Sequence, residues 1–107
     1  MSSAVYFAAL PDRCTPEQQA EATKKVFEAA GAKKCIEKDD FVAIKLHVGE
    51  KKNTTHPDPA IARAVVEKVK ECKGQPFLTE TSTLYKGERD NAVKHLVHAF
   101  NHGFGFE

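Results

Sequence analysis

The sequence predicts an α/β fold: a three-layer, Rossmann-like β-α-β-α-β-α order around a small parallel sheet that is incomplete. Three observations predict it. Apolar runs of strand length at 4–10, 41–48 and 76–79 alternate with helical periodicity after each, and such alternation builds parallel sheets through crossovers. The run Phe41-Val-Ala-Ile-Lys-Leu-His-Val48 is nearly continuous, as expected of a central strand covered on both faces. A chain of 107 residues is long enough for one domain, 1–107, with a single core.

Taken in order, Ala4-Val-Tyr-Phe-Ala-Ala-Leu10 reads as a first buried strand and Pro11-Asp12-Arg13 as a turn. Thr15-Pro16-Glu17-Gln18 opens a helix, with Thr15 as N-cap, Pro16 in the first position and Gln18 completing a capping box. Ala22, Val26, Phe27 and Ala30 form its inward stripe, and Gly31 ends it. A charged connection follows, with a short strand expected around Lys34-Cys35-Ile36. After the central strand, Asp58-Pro59 starts a second helix whose stripe is Ile61, Val65, Val66, Val69 and Cys72, ending at Gly74. Pro76-Phe-Leu-Thr79 is the third strand. The third helix covers about Asp90 to Asn101, with Val93, Leu96, Val97 and Phe100 inward and Gly103 as its stop. Three parallel strands are few, and an exposed edge invites pairing, so a homodimer through the open sheet edge is expected.

The net charge of +1 gives no electrostatic footprint for nucleic acid and no basic patch for a membrane surface. The first apolar run is too short to span a membrane and lacks the basic flank of a signal peptide. A cytoplasmic location is the expectation. Cys14, Cys35 and Cys72 are widely spaced and form no C-x-x-C motif, so they read as scattered reduced thiols. Cys14, just before a helix N-terminus, is the one that such a position could activate.

Polar residues gather after the second and third strands. Lys45 and His47 are two apart and share one side of a strand; Asn53, Thr54, Thr55 and His56 follow them. Glu80, Thr81, Ser82, Thr83 and Tyr85 follow the third strand. Open α/β sheets hold ligands outside the carboxyl ends of their strands, so both loops are expected on one rim. Hydroxyls, a lysine and a helix N-terminus at Asp58 suit a small anionic ligand. The alternative is that these Thr and Ser residues only cap turns. Gly49-Glu-Lys-Lys-Asn-Thr54 is not a P-loop, and no G-x-G-x-x-G follows any strand.

Histidine forms the second constellation. His95, His98 and His102 share one helical face, away from the apolar stripe, and read as a solvated, titrating face. His98 and His102 have chelating spacing, but no Glu lies between them in the metalloprotease pattern. His47 with His56 and Glu80 is a second metal set.

Val42-Ala-Ile-Lys-Leu-His-Val-Gly-Glu50, Asn53-Thr-Thr-His56, Pro76-Phe-Leu-Thr-Glu-Thr-Ser-Thr-Leu-Tyr85, Gly87, Arg89, Asn91-Ala92, His95 and His102-Gly-Phe104 resemble the family called domain of unknown function 362, DUF362. The resemblance implies a prokaryotic protein of unassigned function. Longer members carry clustered cysteines for a 4Fe–4S cluster after the α/β part, and are described as iron–sulfur proteins. This chain is expected to be the N-terminal part of such an architecture or a truncated relative, with no cofactor encoded in it.

Three functions follow as expectations. In the first, a redox-associated enzyme or electron carrier binds its ligand at Lys45, His47, Thr54, Thr81, Thr83 and Tyr85; Lys45 and Arg89 neutralise an anionic group, and His47 or His95 moves protons. In the second, the same rim is a non-catalytic anion or metal site. In the third, the chain is a folded fragment with no activity.

Overall fold

Helix caps set the frame. In the computed structural model, which describes residues 1–106, helix α1 (Pro16–Ala29) begins at the expected capping box. Thr15 Oγ1 accepts the Gln18 N–H at 3.2 Å, and Gln18 Oε1 accepts the Thr15 N–H at 2.8 Å, so two orphan donors satisfy each other's residues. Strand β1 is Phe41–Lys45, helix α2 is Pro59–Glu71, strand β2 is Gln75–Thr79 and helix α3 is Ala92–Asn101. Asp58 caps α2 by accepting the Ala60 N–H at 2.8 Å, and Asn91 caps α3 by accepting that of Lys94 at 3.1 Å.

β1 and β2 pair in parallel, with Phe41 opposite Gln75 and Lys45 opposite Thr79. The Leu46 N–H reaches Thr79 O at 3.2 Å and carries the ladder one step further. α2 makes the crossover and lies against both strands, while α1 packs on α2. Ala62, Ala64 and Val69 of α2 are buried at this junction. A Cβ on Gly74 would meet Val69 Cγ1 at 3.0 Å and Ile36 Cγ2 at 3.1 Å, so the return into β2 is tight there and a side chain would have to push these methyls aside. The left-handed turn itself is taken by Lys73, at φ +64°. Three helices and a two-stranded parallel sheet make an incomplete α/β fold.

The expected first strand does not join the sheet. Residues 4–10 have no ladder; Val5 and Phe7 are exposed, while Ala8 and Leu10 line a hollow with Ala22, Val26 and Ile61. Apolar content alone does not assign a hydrogen-bonding partner, and most of the segment stays exposed. The strand expected around Lys34–Ile36 is a 3-10 turn, Ala32–Cys35, entered through Gly31 at φ +67°. β1 is also not covered on both faces: Val42 and Ile44 are half-buried, whereas Phe41, Ala43 and Lys45 are exposed. The covered side is that of α2, since Val42 and Val69 both border Gly74.

No helix among the described residues is long and apolar enough to cross a membrane.

Candidate functional site

Parallel strands end on the same side, so the loops after β1 and β2 emerge together, and Arg89 ties them to each other. Its Nη1 lies 2.6 Å from Glu50 Oε1 in the first loop, and its Nη2 donates to Thr81 O in the second at 3.2 Å. Tyr85 donates its hydroxyl to the same Glu50 oxygen at 2.6 Å. Lys45 Nζ sits 3.4 Å from Glu80 Oε1, which also accepts the Thr81 N–H at 2.8 Å. The Arg89 and Glu80 side chains retain only 5% and 7% of their exposure. Arg89 Nη2 approaches Glu80 Oε2 to 3.3 Å, yet neither Glu80 Oε2 nor Arg89 Nε has a hydrogen-bond partner.

His47 joins this lattice, with Nδ1 2.9 Å from the Gly49 N–H and Nε2 3.1 Å from Arg89 Nη1. Both neighbours are donors, and a neutral imidazole has one lone pair to offer. Only one of the two approaches is therefore a hydrogen bond to a neutral ring.

The lattice shapes the titration of its members. The Tyr85 hydroxyl, and then Arg89, hold the Glu50 carboxyl below the usual range. Burial is the largest influence on Glu80 and opposes its ionisation, but the Thr81 N–H, Lys45 and Arg89 together outweigh it and lower its pKa. The bond to Glu50 raises that of Tyr85. Burial, and then the Arg89 charge, push His95 down.

α3 closes the site with the face opposite to the expected one. His98 is buried, while Leu96 is 72% and Phe100 61% exposed, as are Val93 and Val97. The cause lies in the loop after β1, which presents carbonyl oxygens that can only accept. His98 Nε2 donates to Gly49 O at 2.8 Å and His102 Nδ1 to Val48 O at 2.6 Å. A buried carbonyl without a donor is costly, and an imidazole N–H supplies what an aliphatic stripe cannot. His102 stacks on His56 with ring centroids 4.6 Å apart, and Gly49, at φ +87°, leaves no room for a Cβ, which would lie 2.8 Å from His56 Cδ2.

Between the strand ends and α3 lies a cavity of about 370 Å³, within the usual range for small-molecule sites. Leu46, Val48, Leu96 and Phe104 line its apolar part; Glu80, Ser82 and His95 line its polar part. Ser82 Oγ and His95 Nδ1 are 3.4 Å apart.

Of the residues singled out from sequence, Lys45, His47, Glu80, Thr81, Tyr85 and Arg89 share this connected lattice, and His95 borders the cavity beside it. Thr83 donates its hydroxyl to Tyr85 O and its N–H to Arg89 O, shaping the second loop. Asn53 and Thr55 bond to each other at 2.9 Å, and Thr54 is exposed nearby in the chain. His56 turns to Pro57 O and to the His102 ring. No group of three His, Cys, Asp or Glu side chains among the described residues is placed to hold a metal. The apolar lining of the cavity carries no polar signal in sequence; its residues read there only as core. The roles of Glu50 and His98 depend on Arg89 and Gly49, far along the chain, and carry no local signal in sequence.

An iron–sulfur cluster needs converging thiolates. Cys14 lies before α1, Cys35 in the 3-10 turn and Cys72 at the end of α2, all free, and they form no such set. The described residues do not fit that group.

This is an α/β unit whose polar side chains gather outside the carboxyl ends of parallel strands. The chain belongs to the DUF362 family: the family model described as "Domain of unknown function (DUF362)" matches residues 42–106, from β1 through both rim loops and α3. No curated protein and no solved structure matches the chain.

Proposed function

We propose that this domain binds a small organic ligand in the cavity between the strand ends and α3. The observation that carries the reading is the cavity itself, about 370 Å³, apolar on one side and edged by Glu80, Ser82 and His95 on the other. Ligand sites of α/β sheets favour this position. The charged lattice beneath the cavity supports the reading, because a buried Arg89 with two carboxylates fixes the loop that carries Glu80 and Ser82. Desolvation keeps His95 neutral and able to accept a hydrogen bond near neutral pH. The family resemblance associates longer members with redox chemistry; binding at this cavity requires none.

Amide-detected NMR titration of the full chain with cyclohexanol, a compact apolar probe, tests this. The expected result is saturable shift changes concentrated at Leu46, Val48, Leu96 and Phe104. Saturable changes that map elsewhere, or none at millimolar probe, contradict the proposal.

A further inference from the structure

We infer that the ligand of this cavity is uncharged and carries a hydroxyl group on an apolar body. The inference rests on the cavity reading above and adds the class of molecule. Glu80 is the one residue of formal charge among those lining the cavity, and its charge is already compensated. Its Oε1 accepts the Thr81 N–H at 2.8 Å and lies 3.4 Å from Lys45 Nζ. Its Oε2 is closed to solvent and lies 3.3 Å from Arg89 Nη2. Arg89 also meets Glu50 at 2.6 Å, so the carboxylates of Glu50 and Glu80 balance the cations of Lys45 and Arg89. Neither Arg89 nor Lys45 lines the cavity.

A charged ligand therefore gains no partner. A carboxylate finds no free cation in the lining, and an ammonium finds no free carboxylate oxygen. An ion taken out of water without a partner costs far more than a neutral polar group. The other polar side chains of the lining, Thr79, Ser82 and His95, are uncharged near neutral pH, since burial and then Arg89 disfavour the charged form of His95.

Ser82 and His95 set the polar contact. Ser82 Oγ and His95 Nδ1 lie 3.4 Å apart, longer than the usual hydrogen bond, and which of them donates depends on the ring tautomer. When the serine hydroxyl donates to Nδ1, Ser82 Oγ keeps lone pairs that can accept from a ligand. When Nδ1–H donates, the serine proton is free to reach a ligand oxygen instead. A ligand hydroxyl is both donor and acceptor, so it fits either arrangement. Ser82 is exposed, which leaves its side chain within reach of a ligand. Leu46, Val48, Leu96 and Phe104 receive the apolar body.

The test compares four probes with one ring on the full chain by NMR titration near neutral pH: cyclohexanol, methoxycyclohexane, cyclohexanecarboxylate and cyclohexylammonium. Cyclohexanol should bind tightest, with both ions weaker by about tenfold or more. Methoxycyclohexane, which accepts but cannot donate, should fall between them. Shifts from cyclohexanol should reach Ser82 and His95. Ser82→Ala, at an exposed position, should weaken cyclohexanol by about threefold to tenfold, as for one hydrogen bond, and close its gap to methoxycyclohexane. The inference is overturned, and the cavity reading survives, if either ion or methoxycyclohexane binds the cavity as tightly as cyclohexanol, or if Ser82→Ala leaves cyclohexanol unchanged. If none of the four shifts the cavity residues, both fall together.

Discussion

Helix α2 meets the protein through Ala62, Ala64 and Val69, whereas α3 meets it through His98 and His102. Both helices carry an apolar stripe at helical spacing. On α2 the stripe faces the sheet and α1, which offer aliphatic side chains, and burial of apolar area drives the packing. On α3 the surface on offer is the irregular loop after β1, lined by the carbonyls of Val48 and Gly49. There the winning face is the one that brings N–H donors, and Leu96 and Phe100 stay largely exposed. Periodicity divides a helix into faces; the partner surface decides which face goes in.

That contrast can be broken at its strongest point first. Arg89→Met leaves Glu50 and Glu80 without their shared cation, and removing one partner of a buried pair costs about 3–5 kcal/mol. Urea unfolding should show this loss, along with release of both loops in amide spectra. On the other side of the comparison, Val69→Ala opens the α2 junction and should cost about 2 kcal/mol, with the rim spectra unchanged. His98→Leu keeps the volume and makes α3 more apolar, yet strands Gly49 O without a donor; a loss of about 1–2 kcal/mol is expected. A gain in stability from that change would show that α3 is held by apolar contact after all.

Just below neutral pH, acidification acts on the α3 side through His95. Its folded-state pKa lies below the ordinary 6.5, so the unfolded chain binds more protons in the window between the two values. Its contribution is complete above pH 6.5 and is lost as pH falls through the lowered value. His95→Gln should flatten the fall in the urea midpoint across that window relative to wild type. The smallest effect belongs to the exposed stripe: Leu96→Ser should change stability by no more than about 0.5 kcal/mol.

Much of the frame was legible in the chain. Thr15 with Gln18, Asp58 with Pro59, and the stop at Gly103 mark helix ends through contacts only a few residues apart, which sequence records directly. The polar rim was legible too, because Lys45, His47, Glu80 and Thr81 follow apolar strands. Two kinds of information were not local. Whether Ala4–Leu10 pairs with β1 depends on a ladder that side-chain type does not encode. Whether Arg89 meets an outside anion or Glu50 depends on a contact across thirty-nine positions, and the cavity is shaped by Leu46, Val48 and Phe104, whose letters say only that they are apolar.

The central claim is that α3 closes the rim with its histidine face. Long-range nitrogen–proton NMR spectra of the imidazole rings test it most directly. The account predicts that His98 carries its proton on Nε2 and His102 on Nδ1, both protons slow to exchange and coupled to the loop carbonyls. Rapidly exchanging ring protons on both residues, with the Leu96 and Phe100 side chains protected instead, would contradict it.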